Sequence, residues 1–187
     1  VHLFLCNKLI LIMDIKKNYF EFICLPESFD IDLNALAEQS RELQKTLHPD
    51  RYSHLSAQEQ RVAVQYTAYL NEGIATLRSP LMRAQYLLIL KGIDTTAESS
   101  APIDHAFLMQ QMELREKLED TPDADDPYSE LESLESEVGS LLTRLRDEFA
   151  QSYKSDDLPA ATVAVRKMQF LEKLVLEIQR LEDRLDG

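Results

Sequence analysis

Two stretches in the C-terminal half constrain this chain more than anything else in it. Over 128–153, Leu131, Leu134, Val138, Leu141, Leu145 and Phe149 recur every three or four residues. Over 157–185, Leu171, Leu174, Ile178, Leu181 and Leu185 do the same. Such spacing is the apolar stripe of an amphipathic helix, and a stripe that long must be buried against a partner. A third segment of the same kind, 103–120, is closed by the acidic turn DTPDADDP. Three amphipathic helices with short connections predict an antiparallel bundle. With 4 Gly, no Trp and no defensible strand-like alternation, the whole chain is expected to be all-α.

The N-terminal half breaks into shorter helical pieces. NYFEFICLP (18–26) predicts an aromatic-rich helix ended by Pro26, and 33–47 a longer one with Leu33, Leu36, Ala37, Leu43 and Leu47 on one face. A third runs over about 57–78, opened by Ser56 and Glu59 as an S-x-x-E capping box. A fourth, 79–92, has Pro80 at its start and Gly92 at its end. The polar, breaker-rich IDTTAESSAP (93–102) marks a linker. Residues 1–12 are apolar but too short to span a bilayer and carry no cleavage-site pattern. With Met13 standing just before the first patterned segment, they read as an N-terminal extension or a misplaced start, with a membrane-dipping or swapped segment as the alternative.

Between the second and third helices lies TLHPDRY. Pro49 has no amide hydrogen and pushes His48 out of helical dihedrals, so the helix must stop there. The loop presents an imidazole, a rigid ring and a carboxylate on a helical scaffold. A catalytic reading would rest on His48, Asp50 and His54, with no Ser or Cys placed as nucleophile. A zinc reading would need further convergent ligands, and Cys6/Cys24 and His2/His105 lie on unrelated segments. There is no glycine-rich phosphate loop and no dinucleotide fingerprint. No enzyme, cofactor or metal site is therefore expected.

Charge narrows the partners. The formal net charge is −13, and it is uneven: residues 1–92 hold 10 basic and 10 acidic side chains, 93–187 hold 10 and 23. No nucleic acid is expected to bind so acidic a half. Two cysteines make no disulfide framework and suit a reducing cytoplasm.

Helix 103–120 carries a second apolar face. At 100° per residue, Ile103, Phe107, Leu114 and Leu118 fall within about 40° of one direction and face the core. Leu108, Met109 and Met112 point roughly 100–200° away, beside Glu113, Glu116 and Asp120. An apolar patch rimmed by carboxylates fits a protein-docking surface or an interface with the first domain, and the periodicity leaves both open.

Short aromatic helix, basic-dotted helix, HPD loop and antiparallel helix together resemble the J-domain, which stimulates DnaK-class chaperone ATPases. YFEFICLP, LQKTLHPDRY and ATLRSPLMRAQYLLILKGID, with FLMQQMELREKLE and VRKMQFLEKL further on, resemble the HscB family of iron–sulfur co-chaperones from about Asp14 to Leu185. The resemblance implies an L-shaped molecule with a J-domain at 13–92, a linker at 93–102 and a scaffold-binding three-helix domain at 103–187. It implies two partners in the bacterial cytoplasm, an HscA-type ATPase and an IscU-type scaffold, and no membrane. His48, Pro49 and Asp50 match the family's essential loop, with Arg41, Lys45 and Arg51 in its positive surroundings. Leu47 stands where Tyr is frequent, a change that only packing beneath the loop should feel. Leu108, Met109, Met112, Glu113, Glu116 and Asp120 match the scaffold-gripping positions, with Met112 in place of Leu and Asp120 in place of Glu. Phe170 matches the family's aromatic on the third bundle helix, although its angle on the flank of the core stripe would assign it to the core. A general J-domain co-chaperone with a different client is the alternative; such proteins usually add a glycine-rich or zinc-binding region, and this chain has neither.

Overall fold

The computed structural model describes residues 17–48, 56–95 and 102–186. Among them the chain forms seven α-helices, one 3-10 turn and no strand, and it divides into two compact units, Val1–Leu87 and Leu88–Gly187.

In the first unit α1 is Tyr19–Ile23. Asn18 accepts the Glu21 amide at 2.9 Å and donates its own amide to the Glu21 carboxylate at 3.2 Å, a reciprocal cap that lets so short a helix start. The helix ends before Pro26 is reached, which corrects the sequence expectation. Cys24 adopts φ 62°, and the Leu25 amide reaches back to the Phe20 carbonyl at 2.8 Å. That six-to-one bond reverses the chain without help from the proline.

Helices α2 (Leu33–Leu47) and α3 (Ala57–Arg78) form a helical hairpin. Asp32 caps α2, and the expected Ser56–Glu59 box opens α3. Phe20, Ile23, Leu36, Leu47, Leu70 and Leu77 fill the space among the three helices. Tyr19 packs on Tyr69 and Tyr86, with ring centroids 4.8 and 4.5 Å away. The Tyr86 hydroxyl accepts the Tyr19 amide at 3.0 Å. Burial pushes the Tyr69 hydroxyl up to about 12 and raises Tyr19 and Tyr86 as well, so all three remain neutral phenols near pH 7. Helix α4 (Pro80–Leu90) terminates where Gly92 takes φ 79° and the Gly92 and Ile93 amides bond to Ile89 and Leu88 carbonyls, both at 2.9 Å. The left-handed residue had to be glycine or pay a steric cost.

The second unit holds α5 (His105–Asp120), the turn Thr121–Asp123, α6 (Pro127–Lys154) and α7 (Leu158–Leu185). Asp104, Asp126 and Asp157 each accept an amide of the first turn that follows, offsetting unpaired donors where the helix dipole favours negative charge. At the start of α6 the Tyr128 hydroxyl donates to the Leu185 carbonyl at the end of α7, 3.0 Å away, so these helices are antiparallel. Lys117 meets Glu137 at 2.6 Å while Phe107 lines a cleft with Leu141 and Leu145, so α5 is antiparallel to α6; Lys167–Asp104 and Arg115–Glu177 at 2.6 and 3.3 Å run it parallel to α7. The apolar stripe of α6 is buried from Leu131 to Phe149, and that of α7 from Leu171 to Leu181. Leu185, at the end of α7, is half-buried.

Candidate functional site

Helix α5 sorts its side chains into two faces. Phe107 and Leu114 are buried, while Ile103 and Leu118, also expected in the core, are half-buried. Ile103 precedes the helix because the Asp104 carboxylate caps it at His105. Gln111 completes the inward face, 5% exposed. Its polar type hid it from a reading based on apolar spacing, although its angle places it beside the stripe.

On the other face Leu108, Met109 and Met112 are 42%, 43% and 64% exposed. Glu113, Glu116 and Asp120 are exposed alongside them. The cations interspersed on this helix are turned to neighbours, Arg115 to Glu177 and Lys117 to Glu137, so carboxylates set the sign of the rim. Leucine and methionine left in water on one face, with charges around them, form a surface that gains by desolvation when a complementary protein covers it.

Phe170 on α7 is half-buried. Its ring meets the edge of Phe107 at 6.3 Å between centroids, and the Lys173 ammonium lies 6.0 Å from its centre. The ring thus packs on Phe107, the residue before Leu108, while the side chain as a whole stays partly open.

In the first unit Arg41 and Lys45 are exposed one turn apart on α2, which brings two cations to the end where the HPD loop begins. Lys45 pairs with Glu42 at 2.7 Å, and this bond holds the Glu42 carboxyl below its ordinary value. Both partners are open to solvent, so the pair adds little stability. His48 is exposed and ends α2 with ψ 129°, the extended geometry a residue before proline requires. Beneath it Leu47 is buried, and its carbonyl accepts the Thr67 hydroxyl of α3 at 3.4 Å. Pro49, Asp50 and Arg51 lie outside the described residues. Among the described residues no three His, Cys, Asp or Glu converge as a metal ion requires, and no helix is long and apolar enough to cross a membrane.

Residues 103–179 match the family model of the HSCB C-terminal oligomerisation domain. The co-chaperone protein HscB homolog of Shewanella loihica is 44% identical over 171 residues, spanning 90% of this chain and 99% of its own. That of Shewanella amazonensis is 43% identical over 171 residues, spanning 90% and 98%. Among solved structures, the chaperone HscB from Vibrio cholerae superimposes with a TM-score of 0.82 at 37% identity, over 90% of this chain and 99% of that one. Human co-chaperone protein HscB gives 0.83 at 27% identity, over 90% and 84%. These matches extend from the aromatic helix α1 through the bundle, and the chain belongs to the HscB co-chaperone family.

Proposed function

We propose that this protein is a cytoplasmic co-chaperone of iron–sulfur cluster biogenesis with two docking surfaces and no catalytic site of its own. Residues 13–92 act as the J-domain, 93–102 as a linker and 103–187 as the domain that carries an IscU-type scaffold. Leu108, Met109, Met112 and Phe170 form the apolar centre of the scaffold site, and Glu113, Glu116 and Asp120 its acidic rim. The observation that carries this reading is the exposed Leu108–Met109–Met112 face of α5 beside a half-open Phe170, in a chain of the HscB family.

At the other surface His48, Pro49 and Asp50, flanked by Arg41, Lys45 and Arg51, engage an HscA-type ATPase. Asp50 is an acceptor-only carboxylate suited to a charge-assisted pair with an arginine. The proline restricts where that carboxylate points and so lowers the ordering cost of docking. The basic neighbours suit an acidic groove and speed the encounter. ATP hydrolysis itself belongs to the partner.

The test is calorimetric titration of an IscU-type scaffold into the wild-type protein and into the Leu108→Ala/Met112→Ala/Phe170→Ala triple variant. Truncating buried interface anchors typically costs about 1–3 kcal/mol each, without additivity. Micromolar binding by the wild type that the folded variant loses supports the reading. A folded wild type that binds no scaffold overturns it in favour of a general J-domain co-chaperone with another client.

A further inference from the structure

Lys167 is a charged side chain that the docking surfaces leave unexplained. Its side chain is only 19% exposed while Asp104, which it meets, is 51% exposed, so its stem is buried and its ammonium comes to the surface at the start of α5. The ammonium lies 2.6 Å from one oxygen of Asp104 and 5.2 Å from the centre of the Phe107 ring. The other Asp104 oxygen accepts the Phe107 amide at 2.8 Å. One carboxylate thus caps α5 and ties that cap to α7. Phe107 in turn presents its ring to Phe170, and Leu108 is the next residue along the chain.

We infer that Lys167 is the positioning residue of the scaffold patch, locking the first turn of α5 against α7 and so fixing the distance between Leu108 and Phe170. The inference rests on the docking reading above. A charge-assisted bond and a cation over an aromatic face are both directional, and they act where the two helices that share the patch meet. Further along, the polar tie between α5 and α7 is the Arg115–Glu177 pair, whose cation is 44% exposed against 19% for Lys167. Without Lys167 the first turn of α5 keeps its cap and the packing of Phe107 on Phe170 but loses its directional polar tie to α7. The apolar anchors then present a range of spacings rather than one, and the partner must order them on binding.

The experiment titrates purified IscU-type scaffold into full-length wild type, Lys167→Met, Lys167→Arg and Leu108→Ala/Met112→Ala. It is done at a temperature where circular dichroism shows all four folded. Methyl NMR follows Leu108 and Met109 in the free wild type and the two Lys167 variants. Lys167→Met is expected to weaken binding about three- to tenfold and to shift the Leu108 and Met109 methyl signals. Lys167→Arg is expected to restore both to within about twofold of wild type, because a guanidinium still reaches Asp104. Wild-type affinity in Lys167→Met overturns the inference, and if Leu108→Ala/Met112→Ala still loses binding the docking reading stands. Weak binding by Lys167→Met with unmoved methyl signals also overturns it, since the ammonium would then touch the partner itself. Failure of Lys167→Arg to rescue has the same meaning. A wild type that binds no scaffold removes the docking reading and this inference together.

Discussion

A Cβ built on Gly73 would stand 3.0 Å from Cδ1 of Tyr19 and 3.3 Å from Cδ1 of Ile23. Helix α1 therefore rests directly on the backbone of α3, and the approach depends on a missing side chain.

Gly73→Ala pits two effects against each other. Alanine favours a helix interior by about 1 kcal/mol, but forcing a methyl under a packed ring costs about 1–3 kcal/mol. Tyr19 has little freedom to yield, since Tyr86 stacks on it and bonds its amide. A net loss of about 1 kcal/mol is expected in thermal unfolding. Gly139→Ala on α6 is the control: nothing lies within 4 Å of its added methyl, so propensity alone acts and the melting temperature should rise. A Gly73→Ala protein that melts above wild type would show that α1 can move aside.

Gln111 has both amide atoms buried without a hydrogen-bond partner. Replacing it by Leu removes an unpaired polar group at similar volume. A gain of about 1–3 kcal/mol is expected in the denaturant midpoint of the bundle. Scaffold affinity should be unchanged, because Gln111 lies on the inward face and Met112 on the outward one. Destabilisation would mean that the amide serves a partner in the folded state.

Asp104 gives the bundle an acid limb. Its hydrogen bond with Lys167, and then that with the Phe107 amide, hold its carboxyl below the ordinary 3.8. The unfolded chain takes up this proton first as pH falls. The contribution is thus complete above about 3.8 and is lost as pH drops through the lower native value. Arg144 and Glu148 of α6 line the same cleft. Urea unfolding of wild type and Asp104→Asn from pH 6 to pH 2.5 should give curves that converge only at the acid end. A constant gap would assign the difference to something other than this carboxyl.

Asp50→Asn keeps the size of the side chain and removes the charge that an arginine would pair with. It is expected to abolish stimulation of an HscA-type ATPase while scaffold binding, measured separately by calorimetry, stays at the wild-type value. Full stimulation by this variant would remove Asp50 from the trigger.

Much of the architecture was legible along the chain. The stripes at 131–149 and 171–181 predicted buried faces that the bundle does bury. Ser56 with Glu59, Pro80 and Gly92 marked helix ends that stand where expected or within two residues. These features are local, since the period of one helix and the chemistry of its first turn are written in neighbouring residues. The end of α1 is not legible in this way, because a left-handed Cys24 carries no sign of its own in the sequence.

By itself the sequence determined the all-helical class, the outward set Leu108, Met109 and Met112, and the family through motifs spread from α1 to α7. Only the tertiary structure decided that Phe170 is half-buried, that Gln111 is buried, and that Lys167 reaches across to the cap of α5. Each of those depends on the rotation and register of one helix against another. That relation is set by packing among side chains more than fifty residues apart, and no single helical period contains it.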